Sequence, residues 1–398
     1  MNNLYDLIIL GGGCAGLSLA TQLVKSNSLL TVLVLEGRQS YTQDRTWCYF
    51  KNVDAVSRAD AHHTWPTMRV ASNDEQLFIN CGTAQYEMVN AEQFYNNAQL
   101  TIEQSELVDL KTGIHVNDLP KKNKDLWCIY TNAGVFQSRF VVDTRSIETP
   151  QIGAAKLWQS FYGAEVECEF DSFDVGCGDL MDFAAANACG TRLAFPDAVC
   201  FVYILPTTAT RALIELTVFS PTPLEPQNLI SLHKKATLNK LGRVTYSVLR
   251  TEHGILPMGN KKTVTRHDAT YVFAGLYAGG ARPSSGYAFT RIQAWASYCA
   301  KSLANGNFPL GHKSDSLIQQ IMDFLFLKMV RARPELAPDL FLALFARTET
   351  QSVIRFLSDR ATLQDHVRVM ASLFPGPLFR AFFGRKRSID IDISTLEK

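Results

Sequence analysis

The strongest constraint on this chain is the run Tyr5-Asp-Leu-Ile-Ile-Leu-Gly-Gly-Gly-Cys-Ala-Gly-Leu-Ser-Leu-Ala20. Leu7 to Leu10 read as a buried strand, and Leu17, Ala20 and Leu23 follow at helical spacing. Between them Gly11, Gly13 and Gly16 form G-x-G-x-x-G. The first glycine permits a tight turn, the second lets a pyrophosphate approach the backbone, and the third lets helix pack on strand. Phosphates held there face the positive end of the helix.

Alone, the motif is weak, because an ordinary α/β domain can carry a glycine-rich turn. Here a second strand, Leu30-Thr-Val-Leu-Val-Leu35, ends at Glu36. That places a carboxylate about 20 residues past the last glycine, where an acid takes a ribose hydroxyl. Arg38 is placed to flank the adenosine. The fingerprint stands at the start of the chain, as in flavoproteins of the glutathione-reductase type, which favours FAD over NAD(P).

A length of 398 residues suits two interwoven domains, and 46% hydrophobic with 19% charged residues suits a globule. With 39 basic and 38 acidic residues, no overall field points to nucleic acid. Nine scattered cysteines contain no C-x-x-C pair and are odd in number, which fits free thiols in a reducing cytoplasm. The N-terminal apolar run is too short for a signal peptide. No stretch of 18 apolar residues announces a membrane span.

Further along, Trp127-Cys-Ile-Tyr130 and Phe140-Val-Val-Asp143 read as strands returning to the nucleotide sheet. From Leu157 to Phe219, short alternating runs broken by Gly, Pro, Asn and Asp read as β. A second strand–glycine–helix unit runs from Thr270 through Gly279 and Gly280 to Leu303, and from Asp315 the pattern is mostly helical. In flavoproteins such a late unit lines the ribityl and pyrophosphate part of FAD; a plain core strand and helix is the alternative. The expected fold is α/β: a Rossmann-like FAD-binding domain (residues 1–150 and 265–310) interwoven with a β-rich substrate domain (151–264). A helical C-terminal region, 311–398, faces a membrane in this reading.

Several stretches resemble the flavin-dependent lycopene cyclases of bacterial carotenoid pathways. They are Arg45-Thr-Trp-Cys-Tyr-Phe50, Val142-Asp-Thr-Arg145, Met181-Asp182, and Phe201-Val-Tyr-Ile-Leu-Pro206 running into Thr210-Arg-Ala-Leu-Ile-Glu-Leu-Thr217. Glu252-His-Gly-Ile-Leu-Pro257 and Gly275-Leu-Tyr-Ala-Gly-Gly-Ala-Arg-Pro-Ser-Ser-Gly-Tyr287 continue the series, and Arg355-Phe-Leu-Ser-Asp359 with Val367-Arg-Val-Met370 ends it. Two positions depart from the family pattern. Leu216 stands where a second acid usually follows the glutamate, and Arg45 stands where His often precedes Thr-Trp.

The resemblance implies a lycopene β-cyclase: a non-redox, proton-initiated ring closure at the ends of lycopene, with reduced FAD required and NADPH as electron source. An anionic reduced flavin beside a developing carbocation lowers its energy. Glu215 is the leading acid–base candidate. Alternation in Arg211-Ala-Leu-Ile-Glu-Leu-Thr-Val-Phe219 places Leu213, Glu215, Thr217 and Phe219 on one face. A desolvated carboxyl there has a raised pKa; pairing with Arg211 is the bland alternative. Asp182 and Glu252 are secondary catalytic candidates that could equally cap turns. Arg45 is a candidate for FAD phosphate or a plain surface arginine.

His62 and His63, in a segment read as a loop, are structural in this reading, since no Cys/His set has metal-ligand spacing. No G-x-S-x-G elbow supports a hydrolase. Trp47, Tyr49, Phe50, Phe201, Tyr203, Phe219, Tyr277 and Tyr287 supply π faces for a polyene, although many aromatics are simply core. The segment Phe374 to Arg387 joins five large apolar residues to Arg380, Arg385, Lys386 and Arg387. It reads as an interfacial helix on an anionic membrane, or as an internal helix with a basic tail. The rivals to a cyclase are a redox flavoprotein, such as a prenyl-chain reductase or monooxygenase, and a non-catalytic carotenoid or flavin binder. Ring type, the number of ends cyclised and oligomeric state stay open at this level.

Overall fold

The computed structural model describes residues 3–51, 61–146, 155–259 and 268–373. Among them, the strands form three sheets. The first follows the order Val108–Lys111, Val32–Leu35, Leu4–Leu10, Gly134–Asp143, Leu126–Thr131, Lys121–Asn123, and Tyr271–Phe273 adds in parallel to the end of Gly134–Asp143. Its central strands are parallel and covered on both faces, hence the unbroken apolar run from Leu7 to Leu10. Leu7 and Ile9 pack with Leu17, Ala20, Leu23 and the Phe289–Ala304 helix. Ile8 and Leu10 pack on the other side with Trp127, Ile129 and Phe136.

The second sheet is mixed, in the order Tyr246–Met258, Leu157–Cys168, Arg211–Ser220, Val199–Pro206, Cys177–Asp182, Thr67–Ala71, Gln76–Asn80. Thus two strands from the first 150 residues belong to it. One face, with Ala212, Ile214, Leu216 and Val218, packs on the Pro226–Leu241 helix through Leu229, Leu232 and Ala236. The other face joins a core with the C-terminal helices Leu317–Ala332, Ala337–Arg347, Thr350–Leu357 and Leu363–Leu373. A small antiparallel sheet, Thr46–Phe50, Tyr86–Asn90 and Ala61–Trp65, lies between them in the chain's path. His62 and His63 therefore sit on a strand, not a loop, because that strand pairs with Tyr86–Asn90. No helix among the described residues is long and apolar enough to cross a membrane. The Phe374 to Arg387 segment lies outside the described residues.

Candidate active site

At the nucleotide end each glycine of the fingerprint has a distinct geometric reason. Gly11 has φ +93°, a left-handed conformation that suits glycine. A Cβ on Gly16 would stand 1.9 Å from the Gly11 carbonyl oxygen, so any side chain there would push the helix off the loop. In front of Gly13 nothing lies within 4 Å of a built Cβ. That open space, beside the N-terminus of the Cys14–Lys25 helix, could hold a pyrophosphate.

Glu36 ends its strand buried, its Oε2 accepting from the Gly12 amide at 2.7 Å and its Oε1 from the Arg38 amide and Nε at 2.8 and 3.0 Å. Burial pushes its pKa up, but the hydrogen bonds and charge of Arg38, with the Gly12 amide, more than reverse this and hold it below the ordinary value. The Arg38 guanidinium lies 4.8 and 5.1 Å from the rings of Tyr41 and Tyr95 and bonds Asp44 at 3.2 Å. Arg45 also pairs with Asp44, at 3.1 Å, and is half exposed at the rim.

In the late unit, Gly275 has φ +86° and its N–H donates to His312 Nε2 at 3.0 Å. Burial, then the charge of Arg291, drives the His312 pKa down to about 3, which keeps it a neutral acceptor. Gly279 and Gly280 shape this turn but do not line the cavity, whereas Gly275 and Gly286 do.

A cavity of about 770 Å³ runs from Gly11 and Gly13, past Glu36, Arg38, Arg45 and Thr46, to a floor on the second sheet. The register explains the floor. Gly163 on the Leu157–Cys168 strand stands opposite Glu215 on one neighbour and opposite Glu252 on the other. Two interstrand spacings of ~4.8 Å put these glutamates' backbones roughly 10 Å apart, with no side chain between them. A Cβ on Gly163 would meet Glu215 Cβ and Leu213 Cδ1, each at 3.3 Å.

Glu215 accepts from Thr217 Oγ1 at 2.7 Å, and it faces the cavity as the strand's alternation requires. Burial first, and then the negative charge of Glu252, raise its pKa well above the carboxylate range. Glu252 is buried and held by Arg250 Nη1 and by Thr46 Oγ1 at 2.7 Å, while Arg250 also donates to Thr46 at 2.9 Å and to Glu165 at 2.7 Å. The two glutamates thus differ: among the described residues one is desolvated with no cation hydrogen-bonded to it, while the other is ion-paired with an arginine. Such asymmetry suits one proton donor beside one fixed negative charge. Leu216 points the opposite way, fully buried toward the Pro226–Leu241 helix, so the departure at this position lies off the cavity face.

Asp182 is not brought into this cavity. Its Oδ1 caps the Phe183–Ala188 helix, accepting from Ala185 N at 2.8 Å, and its Oδ2 pairs with Arg69 at 2.5 Å. Of the aromatic candidates, Trp47, Tyr203, Tyr277 and Tyr287 line the cavity; Phe50, Phe201 and Phe219 lie in the core, and Tyr49 stacks on Phe289. The lining also includes Gln159, Phe161, Tyr86, Tyr95 and His115, which no motif signalled, and Phe289 of the late unit. Tyr86 and Tyr287 share a hydroxyl contact at 3.2 Å, and burial raises the Tyr287 pKa to about 12, so these phenols stay neutral.

Among solved structures, the chain resembles a geranylgeranyl bacteriochlorophyll reductase-like protein of Thermoplasma acidophilum, with TM-score 0.61 and 11% identity over 95% of this chain and 98% of that one. A p-nitrophenol 4-monooxygenase of Pseudomonas putida DLL-E4 gives TM-score 0.58 and 13% identity over 98% of this chain and 100% of that one. At these identities the likeness establishes the fold: a Rossmann-like α/β domain interwoven with a β-rich domain, and a helical C-terminal region. In sequence, the chain is 23% identical over 396 residues to a lycopene beta-cyclase of Pseudescherichia vulneris, covering 95% of this chain and 96% of that protein. The model of the family described as lycopene cyclase protein matches residues 6–382. The chain belongs to the lycopene cyclase family.

Proposed function

We propose that this protein is a lycopene β-cyclase, an isomerase-type enzyme of carotenoid biosynthesis that closes rings at the ends of an acyclic carotenoid without net redox change. The observation that carries the reading is the pair Glu215 and Glu252, flanking Gly163 on the floor of a cavity whose far end is the G-x-G-x-x-G loop. The Gly13 space and the Gly16 contact fit FAD at that end. When bound in reduced form, with NADPH as the source of its electrons, the flavin supplies negative charge near a developing carbocation.

The chain's own residues do the rest. Glu215, kept protonated by desolvation and by Glu252, gives its proton to the terminal C=C of the acyclic end. The electron pair of an internal C=C closes the ring onto the tertiary cation. A ring proton then returns to the Glu215 carboxylate, so atoms and electrons balance. Glu252, fixed by Arg250 and Thr46, contributes charge to the cation's surroundings. Tyr203, Tyr287 and Phe161 offer neutral π faces. The mixed sheet with its covering helices serves as substrate domain, and the Phe374 to Arg387 segment is our candidate for peripheral attachment to the membrane that holds the substrate.

The reductase-like protein and the monooxygenase among the structural neighbours keep one rival in view. Lycopene in liposomes, given to the protein with chemically reduced FAD under anaerobic conditions, separates the readings. Ring products without net flavin oxidation are expected. Product that needs oxygen would indicate a monooxygenase, and bound pigment without conversion a binding protein. Full activity in Glu215→Gln would remove Glu215 from the mechanism.

A further inference from the structure

Gln159 stands apart from the groups used so far. It lies on the Leu157–Cys168 strand, opposite Phe219 and Leu256, and it lines the cavity. Its Oε1 is shielded from solvent and has no hydrogen-bond partner among the described residues. A Cβ on Gly286 would stand 2.6 Å from that oxygen, and Gly286 has φ +72°. The carbonyl therefore rests on a bare Cα, at the point where the nucleotide domain's late loop meets the second sheet. A buried acceptor without a donor is costly, and each one in a native fold calls for an explanation.

The surroundings indicate which donor is missing. The Gly286 loop runs into the Phe289–Ala304 helix, whose first turn carries no acidic residue and whose residues Ala288 and Phe289 line the cavity. A helix N-terminus favours negative charge. A reduced, anionic flavin carries that charge on its pyrimidine ring, and residues 286–289 would suit it. Its imide N–H is a donor in both redox states. Resting on the FAD reading above, we propose that Gln159 is a flavin-positioning residue whose side-chain carbonyl accepts the imide N–H of the ring.

The test titrates FAD and 3-methyl-FAD, which lacks the imide N–H, into the flavin-free full chain and follows flavin fluorescence. In wild type, FAD is expected to bind more tightly than 3-methyl-FAD. Gln159→Leu is expected to bind FAD about fivefold to tenfold more weakly, the worth of one such bond, and to lose most of the discrimination. The loss should be alike for oxidised and reduced flavin, and the imide proton of ¹⁵N-labelled FAD should shift in the variant. Equal discrimination in wild type and variant, or an unmoved imide proton, overturns the inference while leaving the FAD reading intact. Absence of FAD binding by wild type sinks the FAD reading and this inference with it. The wild-type arm needs no variant to fold.

Discussion

At the scale of single residues, the chemistry turns on how unequal two carboxylates become. Glu215 loses water and gains a negative neighbour, and both effects hold its proton. The acid form is the active one in the proposed first step. Activity should therefore persist at pH values well above the ordinary carboxylate range and fall as pH rises through the raised pKa. In Glu252→Gln the repelling charge is gone while Arg250 remains, so the pKa of Glu215 falls. The alkaline limb of the kcat/KM profile should then move to lower pH, with lower activity at neutral pH. A limb that stays in place, or moves to higher pH, would count against the coupling.

At the scale of elements, the same residue type serves opposite ends. Asp182 is, like Glu215, an acid on a β run, but it ends its strand, caps the Phe183–Ala188 helix and pairs with Arg69. Asp182→Ala should lower stability by about 0.5–2 kcal/mol for the lost cap, and further for the broken Arg69 pair, while the folded fraction keeps its turnover. Thermal melts beside activity per folded molecule check this, and a large fall in turnover with an unchanged melt would return Asp182 to the chemistry.

These elements also show why part of the site was legible and part was not. Strand alternation alone placed Glu215 with Leu213 on one face and Leu216 on the other, because the period of two is local. The meeting of Gly163 with both glutamates depends on sheet order, which joins strands far apart in the chain. The Thr46–Glu252 bond spans 206 positions, and no spacing rule reaches that far. The glycine fingerprint was readable because its three glycines lie within six consecutive residues. In the late unit the glycines were visible, but only the fold separates Gly275 and Gly286, on the cavity, from Gly279 and Gly280, which shape the turn. The histidine segment read as a loop because Trp and Pro adjoin it, and only its pairing with Tyr86–Asn90 made it a strand.

At the scale of the whole molecule, the proposed substrate is a membrane hydrocarbon and the described helices do not cross a bilayer. A surface attachment through the basic segment predicts flotation with anionic vesicles. Flotation should weaken severalfold when Arg380, Arg385, Lys386 and Arg387 are neutralised, and should weaken with salt in wild type. Binding that ignores both changes would reject this segment as the anchor.

The interleaving of the two sheets sets an order of events during synthesis. The glycine loop, Gly11 to Gly16, is made well before Tyr271–Phe273, the parallel strand that docks beside Asp143 and is among the later strands. Between them the whole second sheet must be made. A nascent chain therefore carries its phosphate loop long before it owns a cavity, and Gly286 and Phe289 arrive only after Glu215 and Glu252 are already in place. If the protein binds FAD as proposed, capture is expected only after the residues of the acid floor have been made.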